Sequence, residues 1–137
     1  VLRLSNVYGV GMSSNSIMFD IIKQLQNDKI IVNDTSPIRD FVSVTDVAKL
    51  ISILVKTKYK GIINVGSGIP VSIHQLAKTF LKLSSQMDKE IFSRNKIDRV
   101  SINVLNITDT QQKFGWAPST DFEKNLQLLL VADKDNI

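Results

Sequence analysis

The stretch GIINVGSG, Gly61 to Gly68, is a short continuous apolar run closed by two glycines. A run with no polar alternation reads as a strand buried on both faces. The chain opens on a second such run, VLRLSNV at residues 1–7, which ends at Tyr8-Gly9. Between the two lies a long excursion containing two helical patterns. Two central-type strands joined in this way are what a parallel crossover requires. Ligands of such sheets sit beyond the carboxyl ends of the strands. Asn6 lies at one of these ends and Gly66-Ser67-Gly68 at the other.

Working outward, strand and helix alternate, so the fold class is α/β. Ile17, Met18, Ile21, Ile22 and Leu25 recur at helical spacing over residues 16–27, and Lys29 to Val32 is a β-branched strand. After a turn-rich loop at 33–37, Phe41, Val42 and Val44 read as a strand, with Thr45 capping a helix to about Lys58. Three stretches have capping-box form: Ser72 to Gln75, Thr108 to Gln111 and Thr120 to Glu123. The first starts a helix to about Leu83, the second a short helix ending at Gly115, and the third a helix fading near Val131. Ile91-Phe92 suggests one more strand, and residues 101–106 read as extended or irregular.

Composition narrows the function. A chain of 137 residues with 43% hydrophobic and 22% charged residues is sized for one globular core. The net charge of +4 is spread without a basic run or interleaved aromatics, which argues against nucleic acid. No apolar run is long enough to span a bilayer, and the first residues show no signal-peptide pattern, so no membrane partner is expected. The absence of cysteine excludes thiolate catalysis and Cys-based zinc sites, and fits a cytoplasmic location. An N-terminus usually begins at a surface, whereas this one opens at full apolar strength, so the sequence reads as a piece of something longer.

Arg39 is the strongest candidate side chain. A guanidinium is a rigid fork of donors matched to phosphate oxygens, and equally it can pair with a nearby carboxylate such as Asp40 or Asp34. Adjacent strand residues point to opposite faces, so Arg39 and Asp40 cannot both face one ligand. The Asn6 amide either reaches a diphosphate or begins a turn. Gly66-Ser67-Gly68 either lets a ligand approach the backbone or makes a tight turn. His74 falls in the first turn of a helix with no acid or nucleophile at useful spacing, and Trp116 reads as a core plug. Lys96 and Arg99 form a second cationic pair or a solvated loop. The sequence contains no Tyr-x-x-x-Lys pair, phosphate loop, Ser/His/Asp set or metal cluster, so this chain alone shows no means of doing chemistry.

Four stretches, LRLSNVYGVG, IRDFVSVTDVAKLI, INVGSGIPVSIHQLA and ITDTQQKFGWAPS, in this order, resemble one family. They resemble the C-terminal portion of extended short-chain dehydrogenase/reductases, the NAD(P)-dependent nucleotide-sugar epimerases, dehydratases and reductases. The resemblance implies the last parallel strands of a Rossmann-type sheet plus a small α/β substrate-binding subdomain. Residues 1–8 and 61–85 would be the sheet elements, 9–60 and 86–131 the subdomain, and 132–137 a tail. It implies that Asn6 and Arg39 grip a diphosphate, with Phe41 opening the strand that holds the clamp. Ile30 and Val32 would flank the nucleobase, Lys96 and Arg99 would meet the nucleotide, and Leu4 and Ser5 would lie near a nicotinamide. No catalytic residue is expected in this chain. NAD or NADP would belong to the complete parent enzyme, with none binding tightly here. The implied partners are a nucleotide diphosphate sugar, an N-terminal Rossmann half and a possible second copy, and the implied process is cell-surface polysaccharide synthesis. Three positions depart from the family's pattern: Val10 replaces a proline, Leu4 or Ser5 an aromatic, and Lys96-Ile-Asp-Arg99 an Arg-Pro-Gly-Asp. Uridine, guanosine and thymidine nucleotides all stay open. The alternative is a non-enzymatic module, complete in itself, that binds a nucleotide sugar or a protein.

Overall fold

The structure is a computed structural model that describes residues 1–95 and 99–134. In chain order the strands are β1 (Leu2–Leu4), β2 (Asn6–Tyr8), β3 (Lys29–Val32), β4 (Ile38–Arg39), β5 (Phe41–Ser43), β6 (Ile63–Val65), β7 (Val71–Ser72), β8 (Glu90–Ser93) and β9 (Ile102–Asn103). The helices are α1 (Ile17–Gln24), α2 (Val44–Leu54), α3 (Ile73–Leu83), α4 (Thr108–Phe114) and α5 (Phe122–Lys134).

The two apolar runs do lie side by side and parallel, Leu2 opposite Ile63 and Leu4 opposite Val65. The opening run is not one strand, however. It changes partner at Ser5: the part before it pairs with β6, and the part after it pairs in parallel with β5, Asn6 opposite Phe41. Asn6 therefore starts a strand and does not end one. β3 pairs in parallel with β8, and β4 is the middle strand of a small mixed sheet between antiparallel β7 and parallel β9. β7 was not anticipated, being two residues long next to a proline.

Val44 is the first residue of α2, not a strand residue. Ser43 caps that helix by accepting the Thr45 amide at 3.2 Å, and the helix ends at Leu54. Of the three capping boxes only Ser72 to Gln75 forms, with both reciprocal bonds made. Thr108 is already helical, and Asn106 Oδ1 accepts its amide instead. At α5 the cap is Asp121, one residue later than expected, accepting from the Lys124 amide at 2.8 Å. Asp is a strong cap, and Asp121 displaces the neighbouring threonine, whereas the N-cap of α4, Ile107, has no side-chain bond. The helix also runs to Lys134, past Val131.

Two cores result. The first joins α1, β3, α3 and α5 around Met18, Ile21, Ile30, Leu76, Phe80 and Leu126. The second packs α2 against β5 and β6 through Val42, Val47, Leu50, Ile63, Val65 and Trp116. Trp116 is thus the plug the sequence suggests, and its Nε1–H donates to the Asp46 carbonyl at 3.1 Å. Among the described residues no helix is long and apolar enough to cross a membrane.

Candidate functional site

The junction between β4 and β5 is a single residue, Asp40, and it organises the carboxyl rim of the sheet. Its side chain is wholly buried. Oδ1 accepts from the Ser67 amide at 2.7 Å and the Ser67 hydroxyl at 2.6 Å, while Oδ2 accepts from the amides of Gly68 at 3.1 Å and Leu105 at 3.2 Å. Four donors satisfy a buried carboxylate that would otherwise be costly. The glycine turn after β6 therefore holds an anion, and the anion is the protein's own. Gly66 is required because a Cβ there would overlap Asp40 Oδ2, and Gly68 because its φ of 72° lies in the left-handed region. Sequence reasoning considered Asp40 only as a partner for Arg39. The two glycines spaced around Ser67 were the signal that something approaches this backbone closely.

Among the described residues Arg39 is not paired with a carboxylate. Nη1 donates to the carbonyls of Ile38 and Ser101, each at 2.9 Å, and no ion pair with Asp40 or Asp34 exists among the described residues. Asp34 instead accepts from the Ser36 amide and hydroxyl in a local turn. The guanidinium is half-buried, anchored at one nitrogen, and its Nε and Nη2 donors have no partner among the described residues. Asn6 sits beside this point. Its backbone amide and its Nδ2 both donate to the Asp40 carbonyl at 3.0 Å, leaving one N–H of the exposed amide free. Strand alternation puts Arg39 and Phe41 on one face, and Asn6 is in register with Phe41. The two candidates therefore share a face, linked through the Asp40 peptide, while the Asp40 side chain takes the opposite face.

The remaining predicted residues are placed differently. Phe41 is buried in the first core and stacks on Phe122 with ring centres 6.2 Å apart. Ile30 and Val32 point into that same core and cannot present their side chains to a base. Strand alternation turns Ile31 outward instead. It lines an open polar cavity of about 290 Å³ with Asn33, Asp34, Pro37 and Arg94, a cation that sequence reading passed over. Arg99 is exposed, and Lys96 lies outside the described residues. Leu4 is exposed, and the Ser5 hydroxyl is buried without a partner among the described residues, next to Gly66. His74 is exposed at the start of α3, as a surface residue would be.

A second buried carboxylate, Asp46 in the first turn of α2, stitches the segment after Trp116 to the core. It accepts from Lys49 Nζ at 3.2 Å, the Ser119 hydroxyl at 3.1 Å and the Thr120 amide at 3.0 Å. Burial alone would raise its pKa, but the bonds from Thr120, Lys49 and Ser119 outweigh that and hold it below the usual carboxylate value. Tyr8, over the same helix start, has its phenol pKa pushed up by burial, with Asp46 and Asp121 adding to the rise. Among the described residues there is no cluster of metal-ligating side chains.

Comparison with known proteins agrees with this architecture. Residues 1–66 match the model of the NAD dependent epimerase/dehydratase family. A dTDP-D-glucose 4,6-dehydratase of Bos taurus is 27% identical over 99% of this chain and 41% of its own length. A putative UDP-glucose 4-epimerase of Methanocaldococcus jannaschii is 29% identical over 99% of this chain and 46% of its own. Among solved structures, UDP-glucose 4-epimerase of Thermotoga maritima with UDP-glucose superposes with a TM-score of 0.85 at 21% identity, over 98% of this chain and 45% of that one. UDP-glucuronic acid 4-epimerase of Bacillus cereus, in complex with UDP-glucuronic acid and NAD, gives 0.84 at 21% identity, over 99% and 45%. These two show a shared Rossmann-type fold. The chain spans less than half the length of the curated relatives it matches. The first 66 residues thus resemble the NAD dependent epimerase/dehydratase family, and nearly the whole chain is similar to part of nucleotide-sugar epimerases and dehydratases.

Proposed function

We propose that this chain is the substrate-binding part of an NAD(P)-dependent nucleotide-sugar epimerase or dehydratase, and that Arg39 and Asn6 grip the diphosphate. The observation that carries this is the state of Arg39. It is a half-buried guanidinium anchored through one nitrogen, with no carboxylate partner and no partner for its other donors among the described residues, at the carboxyl rim beside the Asn6 amide. A fixed cation in that state suits two linked phosphates. The nucleobase would lie against Ile31 in the cavity that Arg94 and Asn33 line. NAD or NADP would be held chiefly by the remainder of the parent enzyme, with Leu4 and Ser5 touching the nicotinamide end. The group would supply hydride transfer, while this chain's residues bind and orient the sugar nucleotide.

The uncovered surface supports this reading over that of a self-contained module. β1 has one partner, β6, and its other edge meets no strand among the described residues. By contrast, Gln24 caps the outer edge of β3, bonding the amide and the carbonyl of Ile31 through its own side chain. Val44, Ala48, Ile51 and Val55 form a second, exposed apolar stripe on α2, and Val44 shares an open groove with Val7 and Val10. A strand laid along β1 and a helix laid along this stripe, both from an N-terminal Rossmann half, would cover the two together. Calorimetric titration tests the proposal. The chain should bind at least one of UDP, dTDP and GDP, and bind NAD far more weakly. Tight NAD binding with no diphosphate binding would overturn it.

A further inference from the structure

Asp40 is the buried titratable group that the proposed substrate contacts do not use, yet every one of its polar atoms is engaged. Its amide donates to the Asn103 carbonyl at 3.1 Å, and its carbonyl receives both Asn6 donors. Its carboxylate holds the Gly66 to Gly68 turn on one side and the Leu105 amide on the other. The segment it anchors through Leu105 contains β9, and just before β9 stands the Ser101 carbonyl that fixes the Arg39 guanidinium. One residue therefore meets both halves of the clamp, Asn6 through its backbone carbonyl and Arg39 through the carboxylate's hold on residues 101–105.

We infer that Asp40 is a positioning residue for the diphosphate clamp: without touching the ligand, its buried carboxylate holds the Ser101 to Leu105 segment that aims Arg39, while its carbonyl aims Asn6. This rests on the proposed diphosphate contact. It makes a demand that a merely structural role does not. Loss of the carboxylate must reduce recognition of the phosphates selectively, leaving that of the nucleoside. The matched control is Asp46→Asn, which removes the other buried carboxylate hub, whose partners Lys49, Ser119 and Thr120 include no residue of the clamp.

The test compares affinities for UDP and uridine, and likewise dTDP with thymidine and GDP with guanosine, by titration calorimetry of the full chain, with unfolding followed in parallel. In Asp40→Asn the diphosphate-over-nucleoside preference is expected to fall about tenfold or more, the scale of one charged hydrogen bond. Nucleoside affinity should stay within about twofold. Asp46→Asn should lower stability yet keep the preference. Ser67→Ala removes one of the four donors and should show a smaller loss in the same direction, about threefold. An unchanged preference in folded Asp40→Asn overturns the inference, as does an equal loss for nucleoside and diphosphate. If Asp40→Asn does not fold, Ser67→Ala decides on the same two criteria. A wild-type chain with no diphosphate preference would sink the proposed contact itself, a result separate from either of these.

Discussion

Gly66→Ala is the sharpest perturbation of the rim. The backbone at Gly66 is not left-handed, so alanine is conformationally acceptable, and the whole cost is steric. The added methyl would overlap Asp40 Oδ2 and lie 3.0 Å from its Cγ and 3.2 Å from Ser5 Oγ. The carboxylate cannot yield toward open space, since it is enclosed and held by four donors. Displacing it breaks the bonds from Gly68 and Leu105, each worth about 1.5–3 kcal/mol to a charged acceptor. Against this, alanine restricts the unfolded chain, a gain of about 0.4–1 kcal/mol. The net loss is about 2–6 kcal/mol, a large share of a small domain's stability. Urea unfolding, followed through the fluorescence of the buried Trp116, measures it. The cycle with Asp40→Ala isolates the cause: once the carboxylate is gone only the Ser5 Oγ contact remains, and Gly66→Ala should then cost about 1 kcal/mol or less. A neutral Gly66→Ala, or an equal cost in both backgrounds, would refute the reasoning.

Three further outcomes are expected. Because the folded-state pKa of Asp46 is depressed, its contribution is present above the ordinary value of 3.8 and is lost as pH falls below that value through the folded pKa. The stability gap between wild type and Asp46→Asn should therefore narrow in acid titrations below about pH 4, and a gap constant with pH would contradict this. Trp116→Phe removes the bond to the Asp46 carbonyl and should cost about 1–2 kcal/mol, whereas Trp116→Ala also opens a cavity beside Leu50 and Val65 and should cost about 3–5 kcal/mol in chemical denaturation. Leu4→Lys places a charge on the uncovered β1 edge, 49% exposed at that residue, and should reduce self-association in sedimentation velocity with a stability change within about 0.5 kcal/mol.

The frame of the fold was legible in the sequence wherever a pattern was long and local. The parallel pairing of the two apolar runs, the helix from Ser72 with its capping box, the Gly115 stop and the Trp116 plug all follow from periodicity or cap chemistry. The failures share a physical cause, which is that tertiary partners decided them. The change of partner at Ser5 depends on Asp40 and Val65 receiving consecutive amides, which no local pattern encodes. At α4 Asn106 holds the Thr108 amide ahead of an N-cap, Ile107, that has no side-chain cap, and at α5 the cap is Asp121 in place of the threonine. Ile30 and Val32, expected beside a base, have buried side chains, because strand parity turns Ile31 outward and those two inward. At the candidate site the sequence flagged Arg39 and Asn6 but could not tell a paired guanidinium from a free one. The Arg-Asp dipeptide looked like a possible ion pair. It proves to be a division of labour, with the cation on one face of the strand and its neighbouring carboxylate holding the chain together from the other.

The central claim is that the Arg39 fork receives a diphosphate, and the most direct measurement is the affinity of Arg39→Lys for the best-bound of UDP, dTDP and GDP beside that of wild type. Lysine keeps the charge but loses the fork, so binding of the diphosphate should weaken about tenfold while binding of the parent nucleoside is unaltered. Equal diphosphate affinity in the two proteins would contradict the account.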